Sequence, residues 1–245
     1  MLNRSLAIAI TCALAAGGTA HAAEPTKPLR TLVYSVQYTA RNRSDEQTSG
    51  FTGNGGGAGT AGGVVTRTSD VGDDGTLTID VVAATADGGL VVDATYTGKT
   101  SVQPKLRFAI FPDGRLSVDP HATVSLESVY LLPLLARGLV AGRDVSLGSA
   151  WTVPAPPGTK GDGSYKVTGI DGNVATLAIV TTRTVTGPRG YDESDTATAR
   201  YDTARLCPLS YDLSAVSRHT VGSDQYVSTN ARLIASLVSD TFANR

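Results

Sequence analysis

Two histidines, one cysteine and a pair of Asp-Thr-Ala triplets are the residues of this chain that most invite a chemical reading. His121 precedes an apolar run, and His219 stands in Ser217-Arg-His-Thr-Val221, on the polar face of a strand-like segment. No H-x-x-x-H or C-x-x-C spacing gathers metal ligands, and no histidine clusters with carboxylates. Asp70, Asp73 and Asp74 lack the spacing and closing glutamate of a calcium loop. The reading therefore assigns no metal and no cofactor.

Nucleophilic catalysis needs a nucleophile beside a base, and no serine sits in a G-x-S-x-G elbow. Cys207, followed by Pro208, reads as a small buried hydrophobe rather than a nucleophile. Asp195-Thr-Ala197 and Asp202-Thr-Ala204 echo the Asp-Thr-Gly of aspartic proteases, but alanine replaces glycine and no apolar strand precedes either aspartate. Both read as turn and strand residues. Aromatics at 6% and a single tryptophan argue against a sugar-stacking cleft. Gly57-Ala-Gly-Thr-Ala-Gly62 matches a dinucleotide fingerprint in letters only, because a polar loop precedes it and a strand follows. Gly98-Lys99-Thr100 lacks the first glycine of a phosphate loop, whose place is taken by Asp93. The expectation is a protein that is not an enzyme, with a hydrolase acting through His219 as the least favoured alternative.

The elements that would position these residues are mostly strands. Leu32, Tyr34, Val36 and Tyr38 alternate with polar residues, as do Leu77, Ile79, Val81 and Ala83. Leu90 to Tyr96, Leu106 to Ile110 and Val174 to Val185 follow the same period. So do Ala197 to Tyr201, Leu209 to Leu213 and Val227 to Leu233. Turns are predicted at Asp73-Asp74-Gly75, Asp87-Gly88-Gly89, Pro112-Asp113-Gly114 and Asp171-Gly172-Asn173. Residues 41–63 read as a flexible Gly-rich loop. Short connections over about ten strands predict antiparallel neighbours, and clean alternation predicts one face on the core.

One stretch breaks the strand pattern. Val124 to Arg137 is apolar all round from Val129 to Ala136 apart from the Tyr130 hydroxyl, which predicts a buried helix. Pro133 should kink it or break it in two, and Gly138 is placed to stop it.

The chain opens like a secretory signal: Arg4, an apolar run from Leu6 to Ala16, and Ala20-His21-Ala22 before a cleavage point near Ala22/Ala23. The reading is a signal peptide over 1–23, a single β-rich domain over 24–245, and a periplasmic or secreted location. No transmembrane segment is read in the mature chain. The formal charge of −1 becomes −2 once Arg4 is removed, with both signs interspersed. Nothing there suits nucleic acid.

The leader, the alternating strands, the Phe111-Pro-Asp-Gly114 hairpin, the apolar helix over 124–137, Gly148-Ser-Ala-Trp151 and Tyr165-Lys-Val-Thr-Gly-Ile-Asp-Gly172 together resemble uncharacterised bacterial periplasmic proteins. The layout is more distantly similar to the unclosed-barrel carriers of lipids and lipoproteins, the LolA/LppX type. That resemblance implies an apolar ligand, and it transfers no individual residue.

The fold class expected is mainly β, a large curled antiparallel sheet (unclosed, or a half barrel) with one inserted apolar helix. A two-sheet β-sandwich built from 31–118 and 149–244 is the alternative. One short helix cannot fill the concavity of so large a sheet, so an apolar or lipid-like ligand is expected between them. Phe108, Ile110, Tyr130, Leu131, Leu134 and Trp151 are the expected lining. The competing expectation is a structural or protein-interaction module of the cell envelope with no small-molecule ligand.

Overall fold

The computed structural model describes residues 27–48, 63–154, 159–185, 190–221 and 225–244. The leader and the glycine run at 49–62 lie outside them. Every strand belongs to one antiparallel sheet. The strands, in chain order, are β1 (Arg30–Thr48), β2 (Gly63–Ala84), β3 (Leu90–Gly98), β4 (Val102–Ile110), β5 (Leu116–Ser117), β6 (Ala150–Pro154), β7 (Lys160–Asp171), β8 (Val174–Val185), β9 (Tyr191–Asp202), β10 (Cys207–Val221) and β11 (Gln225–Asp240). Their order across the sheet is β5-β4-β3-β2-β1-β11-β10-β9-β8-β7-β6.

This order is a meander that starts in the middle. The chain runs outward from β1 to the β5 edge, crosses to the β6 edge, and returns to pair β11 with β1. The first and last strands therefore zip the two halves together, from Leu32 opposite Asp240 to Glu46 opposite Gln225. That ladder excludes the sandwich, in which the halves would be separate layers.

Alternation sets the two faces. Leu32, Tyr34 and Val36 on β1, Leu77 and Ile79 on β2, Leu177 on β8 and Leu213 on β10 are all buried on one face. The other face carries opposite charges at directly paired positions, Arg41 with Asp70 and Asp93 with Arg107. Such pairs favour this register over a slip that would turn the apolar rows outward.

The crossing segment covers the inner face. Helix α1 (Leu126–Leu131) is followed by 3₁₀ turns over Leu132–Leu135 and Arg137–Leu139. Ser125 caps α1, its side chain accepting from the Ser128 N–H. The expected helix is thus broken into pieces, and Pro133 stands at the break, inside the first 3₁₀ turn. That turn packs against both β4 and β10, while α1 packs against β3. On a flat sheet β4 and β10 would lie about 24 Å apart, at roughly 4.8 Å per strand. A helical segment is only about 10–12 Å across. The sheet is therefore strongly curled around this plug, yet it does not close, since β5 and β6 are its two edges.

Several expectations change. Residues 41–48 are the outer half of β1, and Asp73-Asp74-Gly75 lies inside β2, because the long β1–β2 ladder continues through both. His219 follows the row of Leu213 and Ala215 rather than the polar face, although it lies past the packed core. Gly138 is not a left-handed stop. Its N–H donates to the Pro112 carbonyl (2.9 Å), and a Cβ there would stand 2.2 Å from that oxygen. The glycine lets the plug lie directly on the β4–β5 turn.

A buried clamp ties the chain ends. Arg30 grips Asp240 with two hydrogen bonds (2.9 and 2.8 Å) and donates to the Arg205 carbonyl (2.7 Å) and toward Cys207 Sγ (3.1 Å). Burial opposes ionisation of Asp240, but the Arg30 hydrogen bonds hold it below the usual carboxylate range.

Two stability outcomes follow from these contacts. Asp240→Ala leaves Arg30 unpaired and should cost about 3–5 kcal/mol in urea unfolding. Gly138→Ala should cost about 1–3 kcal/mol, as for other overpacked sites, with the shift read from the same denaturation curves.

Candidate functional site

The six residues expected to line a pocket do come together. Phe108 and Ile110 stand on the inner face of β4, Leu131 ends α1, and Leu134 lies in the following 3₁₀ turn. All four belong to one packed cluster, at 1%, 1%, 1% and 5% exposure. Tyr130 and Trp151 are half-buried against it. The plug thus fills the inner face in this conformation, and Leu132, Leu135 and Leu139 add to it.

Polar contacts moor the plug on two sides. On the β4 side, the Gln103 side-chain carbonyl accepts from the Ser125 N–H (2.6 Å) and the Ser128 hydroxyl (3.3 Å), while its amide donates to the Ala94 carbonyl (3.2 Å). Glu127 is buried beside them, and burial pushes its carboxyl up. On the opposite side the Tyr130 hydroxyl donates to Glu193 Oε1 on β9 (2.7 Å).

Glu193 belongs to a polar band that the motif search missed. On β9 the inner row runs Glu193, Asp195, Ala197, Ala199, Tyr201, so the two acids occupy the face whose later members are core. Arg183 on β8 pairs directly with Glu193, and its Nη1 lies 3.6 Å from Glu193 Oε2. Asp195 pairs with Thr181 and is buried. Next along, Trp151 and Tyr165 stack across β6 and β7 at 5.7 Å between centroids with planes 4° apart. The Arg143 guanidinium sits over the Trp151 ring at 5.5 Å.

The signal for this band was in the sequence. Ala197, Ala199 and Tyr201 mark a core row, and two steps back along a period of two give Asp195 and Glu193. An acid on a core row is costly unless partnered. Burial, and then the negative charge of Glu193, push Asp195 up to about 7, with Arg183 acting against them. The band combines a reluctant acid, a second carboxyl group, a guanidinium and tyrosine hydroxyls. It can accept and donate hydrogen bonds and hold charge of either sign. No group of metal-binding side chains occurs among the described residues.

The other candidate is an open depression of about 210 Å³ lined by Tyr38, Gly72, Asp73, Asp74, Lys99 and Thr100. Its charges are already engaged, Lys99 with Asp74 (2.7 Å) and Asp73 with the Thr100 N–H (2.9 Å).

The buried acid makes stability depend on pH. Unfolded, an aspartate ionises near about 3.9. In the fold Asp195 keeps its proton to about 7. Between those values the folded chain binds more protons than the unfolded one, so this group's contribution falls as pH rises and stays low above 7. Asp195→Asn removes that slope. The urea midpoint of the native chain should fall relative to the variant from pH 4 to pH 7.5, whereas parallel curves would mean that Asp195 ionises normally.

No family model matches the chain, and no curated protein sequence matches it. Among solved structures it is similar to a chain from a study of lipid–protein interactions in lipovitellin, with a TM-score of 0.40 and 12% identity. That match covers 87% of this chain and 25% of the lipovitellin chain, so the protein spans a quarter of the length of the chain it is similar to.

Proposed function

We propose that this protein is an exported, non-enzymatic carrier that holds an apolar or lipid-like molecule on the inner face of its open sheet, beneath the plug. The observation that supports this most is the way the inner face is covered. The apolar face of the sheet lies under a piece of chain that is not a strand of the sheet, moored by the Gln103 and Glu193 contacts and by Gly138. Apolar burial is non-directional and scales with area. Acyl chains that displaced Leu131, Leu132 and Leu134 would therefore restore about the burial they removed, and the exchange is close to balanced. A closed barrel or a sandwich would offer no such replaceable layer. Export rests on Arg4, the apolar run behind it and Ala20-His21-Ala22, and places the carrier in the periplasm or outside the cell. Among the described residues no helix is long and apolar enough to cross a membrane.

A second reading is an envelope interaction module with a permanently solid core. The close packing of Phe108, Ile110, Leu131 and Leu134 favours it.

Native mass spectrometry of protein isolated without detergent from its source cells separates the two. A lipid-mass adduct that leaves on organic extraction supports the carrier. A bare mass that persists after incubation with lipid extract supports the solid module. Tyr130→Phe cuts the mooring to β9 without removing apolar surface. Losing a hydrogen bond to a charged group costs about 1.5–3 kcal/mol, so uptake of a fluorescent fatty acid should speed up about tenfold or more. An unchanged rate would mean that the plug does not open on that side. Leu134→Asp, where it still folds, should lose the adduct.

A further inference from the structure

The band on β8 and β9 holds polar groups that the fold leaves unused. Asp195 is 4% exposed, and its Oδ1 is buried with no hydrogen-bond partner. Arg183 carries five donors. Its side chain is 30% exposed, and its ion pair with Glu193 is at 3.6 Å, longer than a hydrogen bond. No hydrogen bond from the Arg183 side chain is found among the described residues. The β7 residues opposite Arg183 and Thr181 are Gly161 and Gly163, and the Tyr165 ring lies against Gly163. An orphaned buried acceptor costs more than an exposed one and calls for a donor.

The charges restrict what could satisfy both groups. A simple anion drawn to Arg183 would face Glu193 and Asp195. A simple cation drawn to the acids would leave the guanidinium donors unmatched. A single group bearing both signs meets the whole band. We propose that this band is a headgroup site for a phosphate-linked primary amine, whose ammonium donates to Asp195 and Glu193 and whose phosphate lies on Arg183. The proposal rests on the carrier reading and names the polar end of the carried amphiphile; the plug layer would take its chains. Guanidinium donors match phosphate oxygens in geometry, and the nearby tyrosine rings suit an ammonium.

The site has a pH signature. The groups facing Asp195 are Glu193 on its own strand, Arg183 on β8, Tyr130 from α1, Tyr211 from β10 and Tyr191 at the start of β9. In this fold Asp195 keeps its proton to about 7, and an ammonium favours the ionised form. Binding should therefore release a proton and tighten as pH rises from 6 to 8.

The test is calorimetric titration of the full folded chain with dihexanoyl phosphatidylethanolamine, phosphatidylcholine and phosphatidylglycerol. O-phosphoethanolamine and decanol serve as the chain-free and headgroup-free probes. The ethanolamine lipid should bind tightest, and the choline lipid, which has no N–H, more weakly. Asp195→Asn should cost the ethanolamine lipid about tenfold or more, as for other charged hydrogen bonds, and should abolish its pH dependence. Arg183→Gln should weaken the ethanolamine and glycerol lipids alike. Circular dichroism and urea curves confirm that each variant is folded. Equal binding of all three lipids, or an unchanged Asp195→Asn, overturns the headgroup site while decanol binding keeps the carrier reading. Failure of every chain-bearing probe overturns both. Binding of O-phosphoethanolamine alone, lost in Asp195→Asn, would keep the chemistry of the site and move its source from a lipid to a free phospho-amine.

Discussion

One constraint governs this molecule: a sheet of eleven strands has a single apolar face, and among the described residues one short segment of chain covers it. Water cannot be left against Leu32, Leu77, Phe108, Leu177 and Leu213, since each such side chain is worth about 1.5–3 kcal/mol when buried. The sheet meets the shortage by curling until β3, β4 and β10 all reach the same short plug. The crossing from the β5 edge to the β6 edge is what makes this possible, because it carries the plug over the whole concave face. The edges end in the two shortest strands, Leu116–Ser117 and Ala150–Pro154, and β5 pairs with β4 only at Ala109 and Ile110.

The first and last strands lie in the middle of the sheet, and the Arg30–Asp240 clamp works there. A paired, nearly buried arginine at the start of β1 and an aspartate at the end of β11 fix the ladder that joins the halves. Arg30 also reaches the start of β10 through Arg205 and Cys207. Cys207 is a reduced, buried thiol in this network, and burial pushes it up from its ordinary value.

The plug differs in kind from the sheet it covers. Its backbone makes short local turns, and it is moored by side-chain contacts to Gln103 on one flank and Glu193 on the other and by the Gly138 N–H on the Pro112 carbonyl. The sheet is held by long ladders. Local stability follows contact and hydrogen-bond density, and the plug is tied to the sheet far more sparsely than the strands are tied to one another. The polar band lies where the plug meets β9, which places charge and hydrogen-bonding capacity at the mouth of the apolar face.

Much of the scaffold was legible from period and turn chemistry. Alternation at Leu32 to Tyr38 and Leu90 to Tyr96 identified the strands and their inner residues. Asp87-Gly88-Gly89 and Asp171-Gly172-Asn173 marked hairpins whose glycines, Gly88 and Gly172, take the positive φ those turns need. Pro133 marked the broken helix. These features were readable because each depends on residues near one another in sequence. The sequence misled at Asp73-Asp74-Gly75 and at 41–48, where turn-like or polar residues sit in a ladder held by a neighbouring strand. Phe108, Ile110, Leu131 and Leu134 lie in the packed core and Tyr130 and Trp151 border it, while the inward placing of Glu193 and Asp195 was missed because their partner Arg183 lies on another strand. Sequence alone determined which residues form strands and which face each presents. Only the tertiary structure decided that the halves join through β1 and β11, that Gly138 must be small to meet Pro112, and that two acids and an arginine share one bend of the sheet. Those outcomes depend on contacts between distant parts of the chain, which no local period records.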